Sequence, residues 1–131
     1  MADAGDLDDA TLAFAHRIFD LARGGETSVL AEHVDAGLPA NLTNDSGDTL
    51  LILAAYYDNS ETVVALLARG ADPARENDRG QTALAAATFR RSAPSVLALL
   101  DAGADPAAGG PSAIDTARFF DYPEMVELLQ R

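Results

Sequence analysis

The amino-acid sequence predicts an all-α solenoid: helix–turn–helix units stacked side by side, with atypical units capping the N- and C-terminal ends. Three observations predict it. Gly37, Gly70 and Gly103 lie in the similar strings Ala36-Gly37-Leu38-Pro39, Arg69-Gly70-Ala71-Asp72-Pro73 and Ala102-Gly103-Ala104-Asp105-Pro106, and they stand 33 residues apart both times. A second landmark keeps the same period, Asn44-Asp45-Ser46-Gly47-Asp48-Thr49 against Asn77-Asp78-Arg79-Gly80-Gln81-Thr82. The chain is 48% hydrophobic but only 6% aromatic, so Ala and Leu carry the apolar load. That composition suits closely packed helices better than a sandwich or barrel.

Taken in order, residues 1–11 read as an acidic flexible tail and residues 12–131 as a single domain. Its units cover about 12–43, 44–76, 77–106 and 107–131. The first lacks the turn landmark and opens on a longer amphipathic helix bearing Phe14, Ile18 and Leu21, which marks it as a cap. In the central units Thr49 and Thr82 precede short runs of small apolar residues, as threonine N-caps do. Ser60 and Ser92 read as matching starts of the second helices, with Pro94 in a first turn where a missing N–H costs nothing. Val63, Leu66 and Leu67, matched by Val96, Leu99 and Leu100, form one buried stripe. Gly70 and Gly103 then end the helices as left-handed C-terminal caps. The last unit opens at Gly110, 30 residues after Gly80, so three residues are missing, placed around 107–109 by this spacing. Gln130 replaces a core leucine in its second helix, as a half-solvated terminal unit allows.

The 33-residue period, the Gly-x-Thr turn, the paired helices and the closing Gly-Ala-Asp-Pro strongly resemble the ankyrin repeat over about residues 12–131. Thr49-Leu50-Leu51-Ile52 and Thr82-Ala83-Leu84-Ala85 lack the Pro and His of the family's Thr-Pro-Leu-His, which removes one local hydrogen-bond network and leaves the fold. The resemblance implies a protein-binding module that meets its partner on a concave face. By register, one pair of positions per unit lies at the end of the first helix on that face. These pairs are Arg23 and Gly24, Tyr56 and Tyr57, Phe89 and Arg90, Phe119 and Phe120. Five of the chain's aromatic residues, which number 5 Phe and 3 Tyr, fall in these positions. Aromatic residues and Arg dominate binding energy at interfaces. The implied contact strip is therefore Tyr56, Tyr57, Phe89, Arg90 and Phe119, with Arg23 at its N-terminal end. The turn tips Asp45, Ser46, Asp48, Asp78, Arg79 and Gln81 form its polar rim, while Phe120 and Tyr122 read as a seal on the last unit.

Charge and composition narrow the functions further. A net charge of −12 disfavours nucleic acid and anionic membranes, and the acidic tips favour a protein partner of basic or mixed charge. No cysteine is present, so thiolate chemistry and Cys-bound metals are excluded. The start, MADAGDLDDA, is acidic where a signal peptide is basic, and no run approaches a membrane span. A cytoplasmic protein is expected. All nine basic residues are Arg, which with the abundance of Ala points to a GC-rich bacterial genome.

No catalytic constellation emerges. His33 takes the stripe position of Leu66 and Leu99, and His16 has no nucleophile at a telling spacing. Asp6, Asp8 and Asp9 form a solvated charge run, and Asp72 and Asp105 belong to the repeat. Neither an enzyme nor a cofactor is expected. The alternative to a partner-binding monomer is a self-associating homodimer that uses the same strip or a convex patch of Val64 and Leu97.

Overall fold

The computed structural model of the protein describes residues 9–131. Among these, eight helices run in order: α1 (Asp9–Gly24), α2 (Thr27–Asp35), α3 (Leu50–Tyr56), α4 (Ser60–Leu67), α5 (Ala83–Phe89), α6 (Ala93–Asp101), α7 (Ala113–Phe119) and α8 (Pro123–Leu129). The odd-numbered helices pack side by side in one layer and the even-numbered ones in a second layer behind them. The expected all-α solenoid of stacked helix pairs is the fold.

Local chemistry starts each helix where the repeat predicts. Thr49, Thr82 and Ser112 sit at the N-caps of α3, α5 and α7, and their hydroxyls accept from the Ile52, Ala85 and Asp115 N–H groups. Gly37, Gly70 and Gly103 take positive φ of 116°, 91° and 93° after the second helices, a backbone state that only glycine adopts freely. The second-helix starts correct one expectation. Ser92 caps α6, but Ser60 lies inside the first turn of α4 and the cap position belongs to Asn59. The Asn59 amide is used elsewhere, donating to the Ala22 and Arg23 carbonyls at 2.9 Å and so tying the second unit to the end of α1.

α3 and α5 are buried almost all round, residues 50–55 and 83–88, because each lies between neighbours of its own layer and a helix behind. Ala54, Ala55, Ala85, Ala86 and Ala87 let those helices approach closely. The second-layer stripe is Val63, Leu66, Val96 and Leu99, fully buried, with Leu67 and Leu100 half-buried beside it. In α1 the buried residues are Ile18, Phe19 and Ala22; Leu21 is half-buried, and Phe14 is exposed with its edge on the His33 ring. The expected stripe was thus rotated by one position, because α1 must face both α2 and α3. α1 already begins at Asp9, inside the segment read as tail; Asp6 and Asp8 lie outside the described residues.

Antiparallel bridges pair Thr43 with Thr49, Glu76 with Thr82 and Gly109 with Ser112, closing three short fingers ahead of α3, α5 and α7. Residues 44–48 and 77–81 form the first two tips, whereas residues 110–111 alone form the third. The missing residues are therefore lost from the tip itself and not from 107–109. The fingers are linked in series: the Asp78 N–H donates to the Ser46 carbonyl and the Gly110 N–H to the Gly80 carbonyl, both at 3.0 Å.

One core position departs from good practice. The Ser95 hydroxyl is fully buried in α6 and has no hydrogen-bond partner among the described residues. At the same register one unit earlier, the Thr62 hydroxyl is satisfied by that of Thr27 at 2.7 Å. An unpaired buried polar group costs more than its shape contributes, so Ser95→Ala is expected to raise stability by about 1 kcal/mol. Urea titration checks this through a higher midpoint at unchanged slope.

Candidate functional site: the concave groove

The floor of the concave side is made by α3 and α5, whose middles present only small or buried apolar side chains. Large residues enter at their C-terminal ends, where Tyr56 and Phe89 are the last helical residues and Tyr57 and Arg90 the C-caps. The 33-residue period brings the Tyr56 and Phe89 rings into a stack, centroids 6.3 Å apart and planes within 14°. Phe120 continues the row, edge-on to Phe89 at 5.4 Å, to Phe119 at 5.0 Å and stacked on Tyr122 at 5.7 Å. Tyr57 extends it at the other end, 5.3 Å from Tyr56. The result is an unbroken aromatic row across the second, third and fourth units.

Opposite this row stands the second finger. Arg79 and Gln81 from its tip, Ala85 from the floor, Gly110 and Pro111 from the shortened third finger, and Thr116 from α7 enclose a depression of about 340 Å³ with Tyr56, Phe89 and Phe120. A second depression of about 240 Å³ adjoins it, lined by Arg23, Asp48, Ile52, Leu53, Tyr56, Tyr57, Arg79 and Gln81. Tyr56, Arg79 and Gln81 belong to both, so the two form one groove.

Most of the residues expected from the sequence thus meet around one groove, with differences of role. Arg90 is exposed and lines neither depression. Its guanidinium donates to the Tyr56 carbonyl and sits over the Tyr56 ring at 4.9 Å and the Phe89 ring at 5.8 Å, which fixes both rings. Arg23 is paired with Asp20 at 2.9 Å. Asp48, expected on the open rim, is only 8% exposed and accepts from the Asn77 amide at 2.8 Å and the Asn44 amide at 3.4 Å. It joins two fingers and is not a free rim carboxylate. Asp45 and Ser46 face a separate hollow beside His16, Phe19 and Asp20. Asp78 is exposed, with its carboxylate over Gly47. Phe119, 81% exposed, lies past the end of the groove on the far side of Phe120.

Phe120, read from the sequence with Tyr122 as a seal on the last unit, takes a different place. It lines the groove, while Tyr122 does the sealing, half-buried against the core with the Arg91 guanidinium 4.5 Å above its ring. Arg91 also pairs with Glu124, whose carboxyl is held below its ordinary range by its own backbone N–H and by that arginine. The signal for Phe120 was present in the register, since it is the homologue of Tyr57 and Arg90.

Among the described residues no group of three or more His, Asp or Glu side chains is placed to hold a metal ion. No described helix is long and apolar enough to cross a membrane.

Helix pairs stacked in two layers, with linked fingers overhanging the inner one, define a repeat protein whose open face is a groove. A family model of three ankyrin repeats matches residues 18–109, most of the chain, and the protein belongs to the ankyrin-repeat family. A stretch of 58 residues is 47% identical to a Pseudomonas aeruginosa protein named for its ankyrin repeats, PA3287. That match covers 44% of this chain and 34% of the relative's length. Ankyrin repeats are in general protein–protein interaction modules without catalytic function of their own.

Proposed function

We propose that this protein is a non-catalytic, cytoplasmic binding module that grips a partner protein in the concave groove, as an adaptor, inhibitor or accessory subunit. One observation carries the reading: the aromatic row from Tyr57 to Phe120 stays open to solvent along a groove that the second finger overhangs. Tyr57, Phe89 and Phe120 are 45%, 37% and 42% exposed. Contiguous aromatic surface of this kind is unfavourable on a monomer unless a partner covers it.

The test compares wild type with the Tyr56→Ala/Phe89→Ala double variant as baits in a lysate of the source organism, followed by calorimetry with the purified prey. Loss of both rings is expected to weaken binding by about a hundredfold, as interface hot spots do. Because Tyr56 is half-buried, the same change is expected to cost about 1–2 kcal/mol of stability, well short of unfolding. Equal capture by both baits would remove the groove from the interface. The self-association alternative has its own surface in Val64 and Leu97, 52% and 38% exposed on the second layer. Light scattering that shows a dimer, dispersed by Val64→Glu, would decide for it.

A further inference from the structure

We propose that the groove takes an acidic peptide segment of its partner, with one carboxylate on the Arg79 guanidinium and an adjacent apolar side chain against the Phe89 and Phe120 rings. This rests on the groove being the partner site, and it reverses the charge that the acidic composition suggested for the partner.

The groove is lined by two arginines and one aspartate in a chain whose net charge is −12. α3 (LLILAAY) and α5 (ALAAATF) contain no charged residue, so the floor is neutral. The charged residues lining the two depressions are Arg23, Arg79 and Asp48. Their side chains are not equally available. The Asp48 oxygens accept from Asn77 and Asn44, and Arg23 is paired with Asp20. Arg90, outside the lining, is committed to the Tyr56 carbonyl and ring. Arg79 alone among these makes no ion pair or side-chain hydrogen bond with a described residue, although acidic residues outnumber basic ones 21 to 9. The neighbouring tip acid, Asp78, has its carboxylate over Gly47, and Asp115 flanks the Phe119 side beyond Phe120.

A guanidinium offers five donors in a planar fork that matches a carboxylate bidentately. Gln81 beside it supplies a further amide. The same depression has an apolar wall of Phe89, Phe120 and Ala85. A lone anion would leave those rings uncovered, and a purely apolar segment would leave Arg79 desolvated without a partner. A peptide carrying an acidic residue next to a large apolar one satisfies both, whereas a basic segment meets an opposing arginine at the centre of the site.

The test is selection from a phage-displayed library of random dodecapeptides against wild type, with the Tyr56→Ala/Phe89→Ala protein as background. Enrichment of sequences with Asp or Glu next to Phe, Leu or Trp is expected. A fluorescein-labelled synthetic copy of the leading sequence should lose about tenfold or more in affinity on Arg79→Glu, and as much when its acids are replaced by amides. Arg79 is an exposed tip residue, so the circular dichroism melt of the variant should match wild type; Arg79→Gln serves as a milder second variant. Enrichment of basic peptides, or affinity indifferent to both Arg79 variants, overturns the acidic occupant and leaves the groove as a binding site. No enrichment above the double-alanine background overturns the groove reading as well.

Discussion

Leu66→Ala is expected to cost about 2–5 kcal/mol of stability, the range for truncating a fully buried leucine. Leu66 is 1% exposed in α4, which packs against α3 in its own unit and between α2 and α6 in the outer layer. Removing its side chain leaves a cavity that none of these can close without shifting relative to its finger. In a solenoid each unit is stable only through its neighbours, so weakening the second unit separates the first from the third and fourth. The melting midpoint should fall on the order of 10 °C, and the transition should broaden as the stack loses cooperativity. Leu67→Ala, one residue along but half-buried, should cost less than half as much, and Val64→Ala on the outer surface under about 0.5 kcal/mol. Circular dichroism melts of the three variants measure this gradient. Equal losses at 64 and 66 would mean that the register of the second layer is wrong.

That gradient was readable in the sequence because the repeat repeats the physics. Thr49 and Thr82, Val63 and Val96, Leu66 and Leu99, Gly70 and Gly103 each occupy one environment twice, so spacing alone assigns a role. Legibility ended wherever a unit was not a copy. Ser60 resembled Ser92, but the matching residue is Asn59, and its amide is spent on the preceding unit's carbonyls, a contact no local pattern reveals. In α1 both Phe14 and Phe19 fit a helical period; Phe19 is the buried one because it lies beside Ile18 and Ala22 where two helices meet. Spacing placed the missing residues of the third finger around 107–109, and the Gly109–Ser112 bridge puts the loss in the tip instead. The same holds for the site. The aromatic positions followed from register, but the direction of a charge did not: Asp48 turns inward to Asn77, and Arg79 faces the groove.

Asn77→Ala is the counterpart of Leu66→Ala in the polar framework, with an expected cost of about 3 kcal/mol. Asn77 is 6% exposed at the base of the second finger. Its side-chain oxygen accepts the N–H groups of Arg79 at 3.0 Å and Gln81 at 2.9 Å, and its amide donates to Asp48 at 2.8 Å and Gln81 at 3.3 Å. Alanine removes all of these together and leaves the nearly buried Asp48 carboxylate facing an apolar methyl group. A hydrogen bond to a charged group contributes about 1.5–3 kcal/mol, so that contact dominates the loss. Asn44, the same residue one unit earlier, serves only its own finger through Ser46 and Asp48 and is more exposed, so Asn44→Ala should cost roughly 1 kcal/mol. The difference between the two variants therefore measures the link between fingers. It also bears on function, because Asn77 holds the backbone that carries Arg79 and Gln81 over the groove. Below its lowered melting temperature, Asn77→Ala should bind the selected peptide less tightly than wild type although no groove-lining side chain has changed. Amide exchange should be faster at Arg79 and Gln81 while α3 and α5 stay protected. Unchanged exchange at those two amides would show that the finger holds its shape without Asn77.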